Sequence, residues 1–175
     1  MEPFYLRLTE NIVEAVTADL GKILQEIGEE QIYAAALVTD SDCITLFLAV
    51  NTLEYLEENG DPEGEEKWFP DEWGYSDGPG SSLEKISRLL YEHNQALSCG
   101  DDTEEDQEAH HQMFFEAVIS ALARLKEQKA FGANTGNVTC FLSISDDERA
   151  EELENRSAER LNPPELAEAF LKRFQ

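Results

Sequence analysis

Residues 32–52 read IYAAALVTDSDCITLFLAVNT, and this stretch gives the clearest indication of the fold. It holds two apolar runs rich in β-branched residues, separated by a polar turn at Ser41 and Asp42. This pattern predicts a hairpin of two strands, over residues 31–39 and 43–51. Both faces of each run are apolar, which indicates central strands covered on at least one side by helices.

Segments with helical periodicity surround the hairpin. Apolar residues recur at helical spacing over residues 8–28, and Gly28 is a suitable end for that helix. The later part of the chain predicts helices over 53–58, over 82–98, up to about 128, over 146–153, and after an N-cap at Asn162. VTCFLSIS, residues 138–145, predicts a third strand. We expect one α+β domain over residues 1–175, with a small, mainly antiparallel sheet and about five helices.

Residues 59–80, NGDPEGEEKWFPDEWGYSDGPG, show neither the spacing of a helix nor the alternation of a strand. Loops of this length are uncommon in compact domains unless they are functional or disordered. Here Trp68 and Trp73 interrupt an acidic background rich in Gly and Pro. Because aromatic side chains of this size normally bury, we expect this long aromatic and acidic loop to fold back onto the body.

Charge is the strongest signal in the composition. The chain has 13 Lys and Arg against 38 Asp and Glu, a formal net charge of −25. Residues 54–108 alone carry 18 acidic and 3 basic side chains, which is more than half of the excess. Such a charge repels nucleic acid and anionic lipid and attracts basic proteins. The plainer interpretation is that it keeps the protein soluble.

Two acidic runs and the tryptophans beside the first are the candidate binding residues. Their carboxylates are suited to a docking face for a basic protein, with a tryptophan as its aromatic anchor. The alternative interpretation is solvated loops beside core aromatics. The candidates are Glu57, Glu58, Asp61, Glu63, Glu65 and Glu66 in the first run, Trp68 and Trp73 beside it, and Asp101, Asp102, Glu104 and Glu105 in the second run.

No residue pattern indicates catalysis or a metal. Asp106 and His110 are at helical spacing, but two ligand types on one helical turn are more typical of a solvated surface than of a metal site. No nucleophile with a neighbouring base is recognisable. We expect no metal and no cofactor. An enzyme of unrecognised type and an acidic mimic of nucleic acid are the open alternatives.

The termini and cysteines bear on location. The N-terminal sequence lacks the basic start and apolar block of a secretory signal. Cys43, Cys99 and Cys140 are odd in number and widely spaced, so no disulfide framework is visible. A reducing cytoplasm is the expected compartment.

Four stretches occur in a characteristic order. They are the strand pair IYAAALVTD and CITLFLAVNT, then KWFPDEWGY, then LSISDD, then RSAERLNPPELAEAF with Ser157, Leu161, Asn162 and Pro163. In this order they resemble the bacterial domain-of-unknown-function family 4303. The resemblance implies no activity and no catalytic residues. Small acidic proteins of this kind also resemble immunity proteins encoded beside secreted toxins. The expected function is therefore a non-catalytic protein-binding module, in the form of an immunity protein that neutralises a basic toxin.

Overall fold

The fold combines a small sheet with helices on both of its faces. A computed structural model describes residues 2–59, 65–97 and 103–174. Within these ranges six α-helices, rather than about five, accompany four strands, and the predicted α+β class is confirmed. The elements are α1 (Pro3–Ile27), β1 (Ile32–Thr39), β2 (Phe47–Thr52), α2 (Leu53–Asn59), β3 (Tyr75–Ser76), α3 (Leu83–Leu97), α4 (Glu104–Glu127), β4 (Thr139–Ile144), α5 (Ala150–Leu161) and α6 (Pro164–Leu171), with 3₁₀ turns at Glu65–Trp68, Pro70–Glu72 and Thr135–Asn137.

The sheet is mixed, with the strand order β3-β2-β1-β4. β1 pairs antiparallel with β2, and β2 pairs antiparallel with β3. β4 instead runs parallel to β1, with Ala36 opposite Phe141. Two of the three pairings are thus antiparallel as predicted, while the parallel pairing was not. A parallel pairing needs a long crossover, which α3 and α4 supply here.

The two faces of the sheet carry different side chains. One face packs against α1, α3 and α4 through aliphatic residues. The other face presents the small side chains of Ala34, Ala36 and Ala49, which leave room for the rings of Trp73 and Phe170. The principal buried residues of the first face are Leu8, Ile12, Val16, Leu20, Leu37, Leu48, Ile119, Leu122 and Leu142.

The turn between β1 and β2 is longer than predicted. β2 begins at Phe47 rather than at residue 43. The Asp40 carboxylate accepts hydrogen bonds from Ile44 N at 3.0 Å and from the Thr45 hydroxyl at 2.5 Å. Cys43 has φ of 56°, a left-handed backbone conformation that ends strand pairing. A side chain binding its own loop therefore delays the second strand.

The segment after β4 also differs from its prediction. The helix predicted over 146–153 begins only at Ala150 and runs to Leu161. Asn162 caps no helix start, because its Oδ1 accepts a hydrogen bond from Cys140 N at 2.8 Å. The Ser157 hydroxyl similarly accepts a bond from Leu142 N at 2.9 Å. α5 therefore lies along the outer edge of β4 and satisfies its backbone.

No helix within the described ranges is both long enough and apolar enough to span a bilayer.

Candidate functional site

The aromatic segment, residues 65–76, lies over the small side chains of the sheet. Trp73 is only 8% exposed, and its ring centroid lies 5.7 Å from that of Phe141. Trp68 is half-buried and packs edge-on against Phe170 at 5.0 Å. Of the two proposed anchors, Trp73 is therefore a core residue and Trp68 keeps some exposed surface.

Buried hydrogen bonds hold the aromatic segment in place. The Lys67 carbonyl accepts bonds from the Tyr33 hydroxyl at 2.8 Å and from Trp73 Nε1 at 3.2 Å. Asn51 Nδ2 donates to the Tyr33 hydroxyl at 3.0 Å, and Asn51 Oδ1 accepts from Gly74 N at 3.3 Å. Burial raises the pKa of Tyr33 to about 12, so its hydroxyl remains a donor at neutral pH.

Two exposed rings lie next to this segment. Phe69 and Phe174 are 42% and 43% exposed, and their ring centroids are 6.2 Å apart. The Arg173 guanidinium lies 4.6 Å from the centre of the Phe174 ring. Sequence reasoning missed this pair, because nothing in the sequence places residue 174 beside residue 69.

Described members of the first acidic run lie on the surface. Glu57 and Glu58 are exposed on α2, and Glu66 is exposed in the first 3₁₀ turn of the aromatic segment. Glu65 opens that turn, but its side chain is outside the described part of the chain, as are Asp61 and Glu63. The exposed carboxylates of Glu57, Glu58 and Glu66 are therefore available to a partner.

Described members of the second run lie in the first turn of α4. Glu104 opens the helix, although its side chain is not described, and Glu105 is exposed. Asp101 and Asp102 lie outside the described residues. The later residues of this acidic connector were predicted to open the following helix, and Glu104 and Glu105 do so.

Asp106 and His110 are the two metal-ligand types that the sequence places at helical spacing. Asp106 caps the start of α4. Its carboxylate accepts a hydrogen bond from Thr103 N at 3.0 Å, and the Thr103 hydroxyl accepts one from Asp106 N at 3.2 Å. These bonds to Thr103 lower the pKa of Asp106. His110 Nδ1 meets the Tyr5 hydroxyl at 3.2 Å. Both candidate ligands thus take part in packing or capping, and no group of three or more metal-ligand residues occurs within the described ranges.

The described members of the two runs lie near opposite ends of the sheet. Leu53 N, at the start of α2, donates to Gln31 O just before β1 at 2.9 Å. Arg149, just after β4, pairs with Glu108 near the start of α4 at 3.4 Å. β1 and β4 are parallel, and a strand rises roughly 3.3 Å per residue, so the two ends are about 20 Å apart. The described members of the first run and those of the second are therefore too far apart for one compact docking face.

The end of the sheet beside α2 gathers further carboxylates. Glu54 accepts a hydrogen bond from Gln31 N at 2.8 Å. Glu30 accepts bonds from the Thr52 hydroxyl at 2.6 Å and from the Tyr75 hydroxyl at 2.8 Å. Burial, together with the negative charge of Glu30, raises the pKa of Tyr75 to about 12. These contacts place Glu30 and Glu54, acids from two parts of the sequence, at one end of the sheet.

Cations are nearly absent from this part of the chain. Residues 23–84 contain 16 acidic side chains and one basic side chain, Lys67. Lys67 Nζ lies 5.4 Å from the ring centre of Trp68 and 5.9 Å from that of Tyr33. The ion pairs found between described side chains all fall outside 23–84. The acids here are therefore not neutralised by described basic side chains.

At the opposite end of the sheet, the polar groups described next are buried or bound to other side chains of the same chain. Burial raises the pKa of the Cys43 thiol to about 12, which makes it a poor nucleophile. Both carboxylate oxygens of Asp147 accept hydrogen bonds from Arg149, at 2.9 and 2.7 Å, and its pKa falls to about 2. A cavity of about 150 Å³ lies nearby, lined by Glu108, Gln112, Phe115, Arg149, Glu152, Leu153 and Arg156. Its described lining contains no serine, cysteine or histidine.

Sequence reasoning missed one spacing that is typical of a catalytic serine. GYSDG, residues 74–78, has the spacing of a nucleophile elbow, which places serine at a sharp turn between a strand and a helix. Ser76 instead lies in the two-residue strand β3, exposed and opposite Ala49 in an antiparallel pair. The aromatic ring of Tyr55 lies so close to Gly74 that a Cβ there would be 2.5 Å from it. Gly74 therefore serves packing against Tyr55.

Comparison with known proteins places the chain in a family. No curated protein and no solved structure matches it. The family model described as "Domain of unknown function (DUF4303)" matches residues 12–163, which include the sheet, the aromatic segment and the two residues that cover the edge of β4. The resemblance inferred from the four ordered stretches is thereby confirmed. Because the match covers most of its length, the chain belongs to the DUF4303 family.

Proposed function

We propose that this chain is a non-catalytic module that binds a basic protein through the acidic end of the sheet, and that its partner is a toxin which it neutralises as an immunity protein. One observation carries the proposal. The stretch 23–84 presents exposed carboxylates on α2 and the aromatic segment, and its single cation, Lys67, lies over its own aromatic rings. An uncompensated field of this kind steers a cationic partner and speeds its association at low salt.

The fold supports recognition by side chains rather than by strand addition. The N–H groups of Cys140 and Leu142 on the outer edge of β4 are bonded to α5 and the residue that follows it. On the other side, Asp77 bonds both N and O of Leu48 in β2. With these backbone groups already paired, a partner strand finds no free edge at these positions.

Charge reversal on α2 tests the proposal. In Glu57→Lys with Glu58→Lys the net charge rises by about four, and we expect the affinity for the protein encoded by the neighbouring gene to fall at least about tenfold at low salt. The control, Glu127→Lys with Glu159→Lys, makes the same charge change at exposed positions of α4 and α5. Titration calorimetry at several salt concentrations measures both variants.

The outcomes separate the interpretations. Equal losses of affinity in the two variants would show that total charge, rather than the position of the carboxylates, governs binding. If the wild-type chain does not bind the protein encoded by the neighbouring gene, that protein is not its partner. A captured partner that binds DNA, and that this chain displaces from DNA, would favour the acidic mimic of nucleic acid over the immunity protein.

A further inference from the structure

The exposed rings of Phe69 and Phe174 form a small apolar surface, here called the phenylalanine pair. Four large apolar side chains are exposed in the described part of the chain: Leu6, Phe69, Tyr91 and Phe174. Two of these four are neighbours in space although they are 105 positions apart in sequence, with ring centroids 6.2 Å apart. Neighbouring exposed aromatics of this kind are typical of the centre of a protein interface.

The phenylalanine pair is held by a buried framework. The Arg173 guanidinium lies over the rings of Phe170 at 3.9 Å and Phe174 at 4.6 Å. Its Nη2 donates to Glu154 Oε2 at 2.8 Å, and its side chain is only 1% exposed. On the other side, Phe69 follows Trp68, which packs against Phe170. A surface fixed in this way loses little conformational entropy when a partner binds.

The surroundings of the pair select the chemistry of its partner. Glu66, Asp71 and Glu72 flank Phe69 in sequence and are exposed. None of these three carboxylates forms an ion pair with a described basic side chain. A second copy of this chain would bring the same acids together, which costs free energy through repulsion. A polypeptide carrying both cations and apolar side chains complements the apolar pair and the acids that neighbour Phe69 in sequence.

We infer that the phenylalanine pair is the anchor of the binding surface, and that it takes an apolar side chain from a basic polypeptide whose arginines meet Glu66, Asp71 and Glu72. This inference rests on the proposed function and adds to it the position of the contact and the kind of residue bound. It also replaces Trp73 as the anchor, since Trp73 is buried in the core.

Peptide binding to the full chain tests the anchor. The probe is a short amidated peptide that alternates arginine with leucine, and its matched control alternates arginine with serine at equal charge. At about 0.3 M salt, where the Debye length is below roughly 8 Å, long-range attraction is weak and the leucine contacts decide affinity. We expect Phe69→Ser with Phe174→Ser to weaken binding of the leucine peptide about tenfold and binding of the serine peptide less than about twofold.

Control variants make the result specific. Leu6→Ser with Tyr91→Ser removes two exposed apolar side chains elsewhere, on α1 and α3, and should leave both peptides unaffected. If the double phenylalanine variant does not fold, Phe69→Ser alone gives the same comparison with a smaller loss. Unchanged binding of the leucine peptide, or equal losses for both peptides, would overturn the anchor.

Failure of the anchor and failure of the proposed function give different results. If Glu57→Lys with Glu58→Lys weakens both peptides while the phenylalanine variants change neither, the acidic surface stands and the anchor falls. If no variant changes either peptide, both proposals fall. Sedimentation equilibrium of the wild-type chain tests whether a second copy binds at the phenylalanine pair. A dimer that dissociates in Phe174→Ser would overturn the assignment to a basic partner.

Discussion

Asn162 is one side chain that joins three elements. Its Oδ1 accepts hydrogen bonds from Cys140 N on β4 and from Lys126 Nζ on α4, each at 2.8 Å. Its Nδ2 donates to Cys140 O and to Ala158 O, also at 2.8 Å each. It therefore satisfies the backbone of Cys140 at the edge of the sheet and the carbonyl of Ala158 at the end of α5. It also binds Lys126, whose pKa is lowered by burial.

Removal of this side chain should destabilise the whole protein. Asn162→Ala leaves the N–H and C=O of Cys140 without their partner and removes one of the two described acceptors of the Lys126 ammonium, the other being Val138 O. We expect the free energy of unfolding to fall by about 3 kcal/mol. Urea denaturation measures the change. Asn59→Ala is the control, since Asn59 is exposed at the end of α2 and, among the described residues, its side chain bonds Tyr55 O in its own helix. A loss at Asn162 no larger than at Asn59 would contradict this role.

The role of Asn162 shows what local patterns miss at the residue scale. Asn followed by Pro is a typical start of a helix, and a helix does follow at Pro164. The partners of the side chain, Cys140 and Lys126, lie 22 and 36 positions earlier in the chain. A capping pattern describes neighbours in sequence, so bonds to such distant groups fall outside it.

At the scale of elements, the aromatic segment depends on polar groups supplied by the strands. Tyr33 in β1 and Asn51 in β2 reach out of the sheet and bind its backbone at Lys67 and Gly74. Helix α3 is likewise capped from elsewhere, since Asp19 of α1 accepts a bond from Ser82 N at 2.7 Å. Elements here are ended or held by side chains from other elements.

Tyr33→Phe tests how the aromatic segment is held. The ring remains, but the bond to Lys67 O is lost and Asn51 Nδ2 loses its acceptor, so we expect a loss of about 1–2 kcal/mol in the free energy of unfolding. Hydrogen exchange should quicken first in residues 65–76. Tyr91→Phe is the control, because Tyr91 is exposed and its hydroxyl, among the described residues, accepts a bond from the neighbouring side chain of Gln95. Uniform quickening over the whole chain would speak against a local effect.

At the scale of the whole molecule, charge is unevenly distributed. Every fourth residue on one stretch of α4 binds an arginine from α5 or from just before it. Arg149 pairs with Glu108, Arg156 donates to Gln112 and Arg160 pairs with Glu116. The other part, residues 23–84, has a net charge of −15, from 16 acids and one base. Repulsion within this part opposes the compact state.

Salt should therefore stabilise the free protein. Raising KCl from about 0.01 to 0.5 M shortens the Debye length from roughly 30 Å to about 4 Å, and we expect the free energy of unfolding to rise by about 1 kcal/mol or more. Thermal unfolding in iso-osmotic sucrose controls for general solute effects. Glu57→Lys with Glu58→Lys should show a smaller rise, because that variant has less repulsion to screen. Stability that falls with KCl would contradict this account.

Sequence periodicity by itself determined the α+β class, the three longest strands and most of the helices, because hydrophobic spacing reflects burial on one face of an element. The distribution of charged residues located the acidic excess, and the four ordered stretches indicated the family. Three features are visible only in the folded molecule: β4 runs parallel to β1, the described members of the two acidic runs lie near opposite ends of the sheet, and Trp73 is buried while Phe69 packs beside Phe174. These facts depend on contacts between residues distant in sequence, which packing of the whole chain creates and local patterns do not contain.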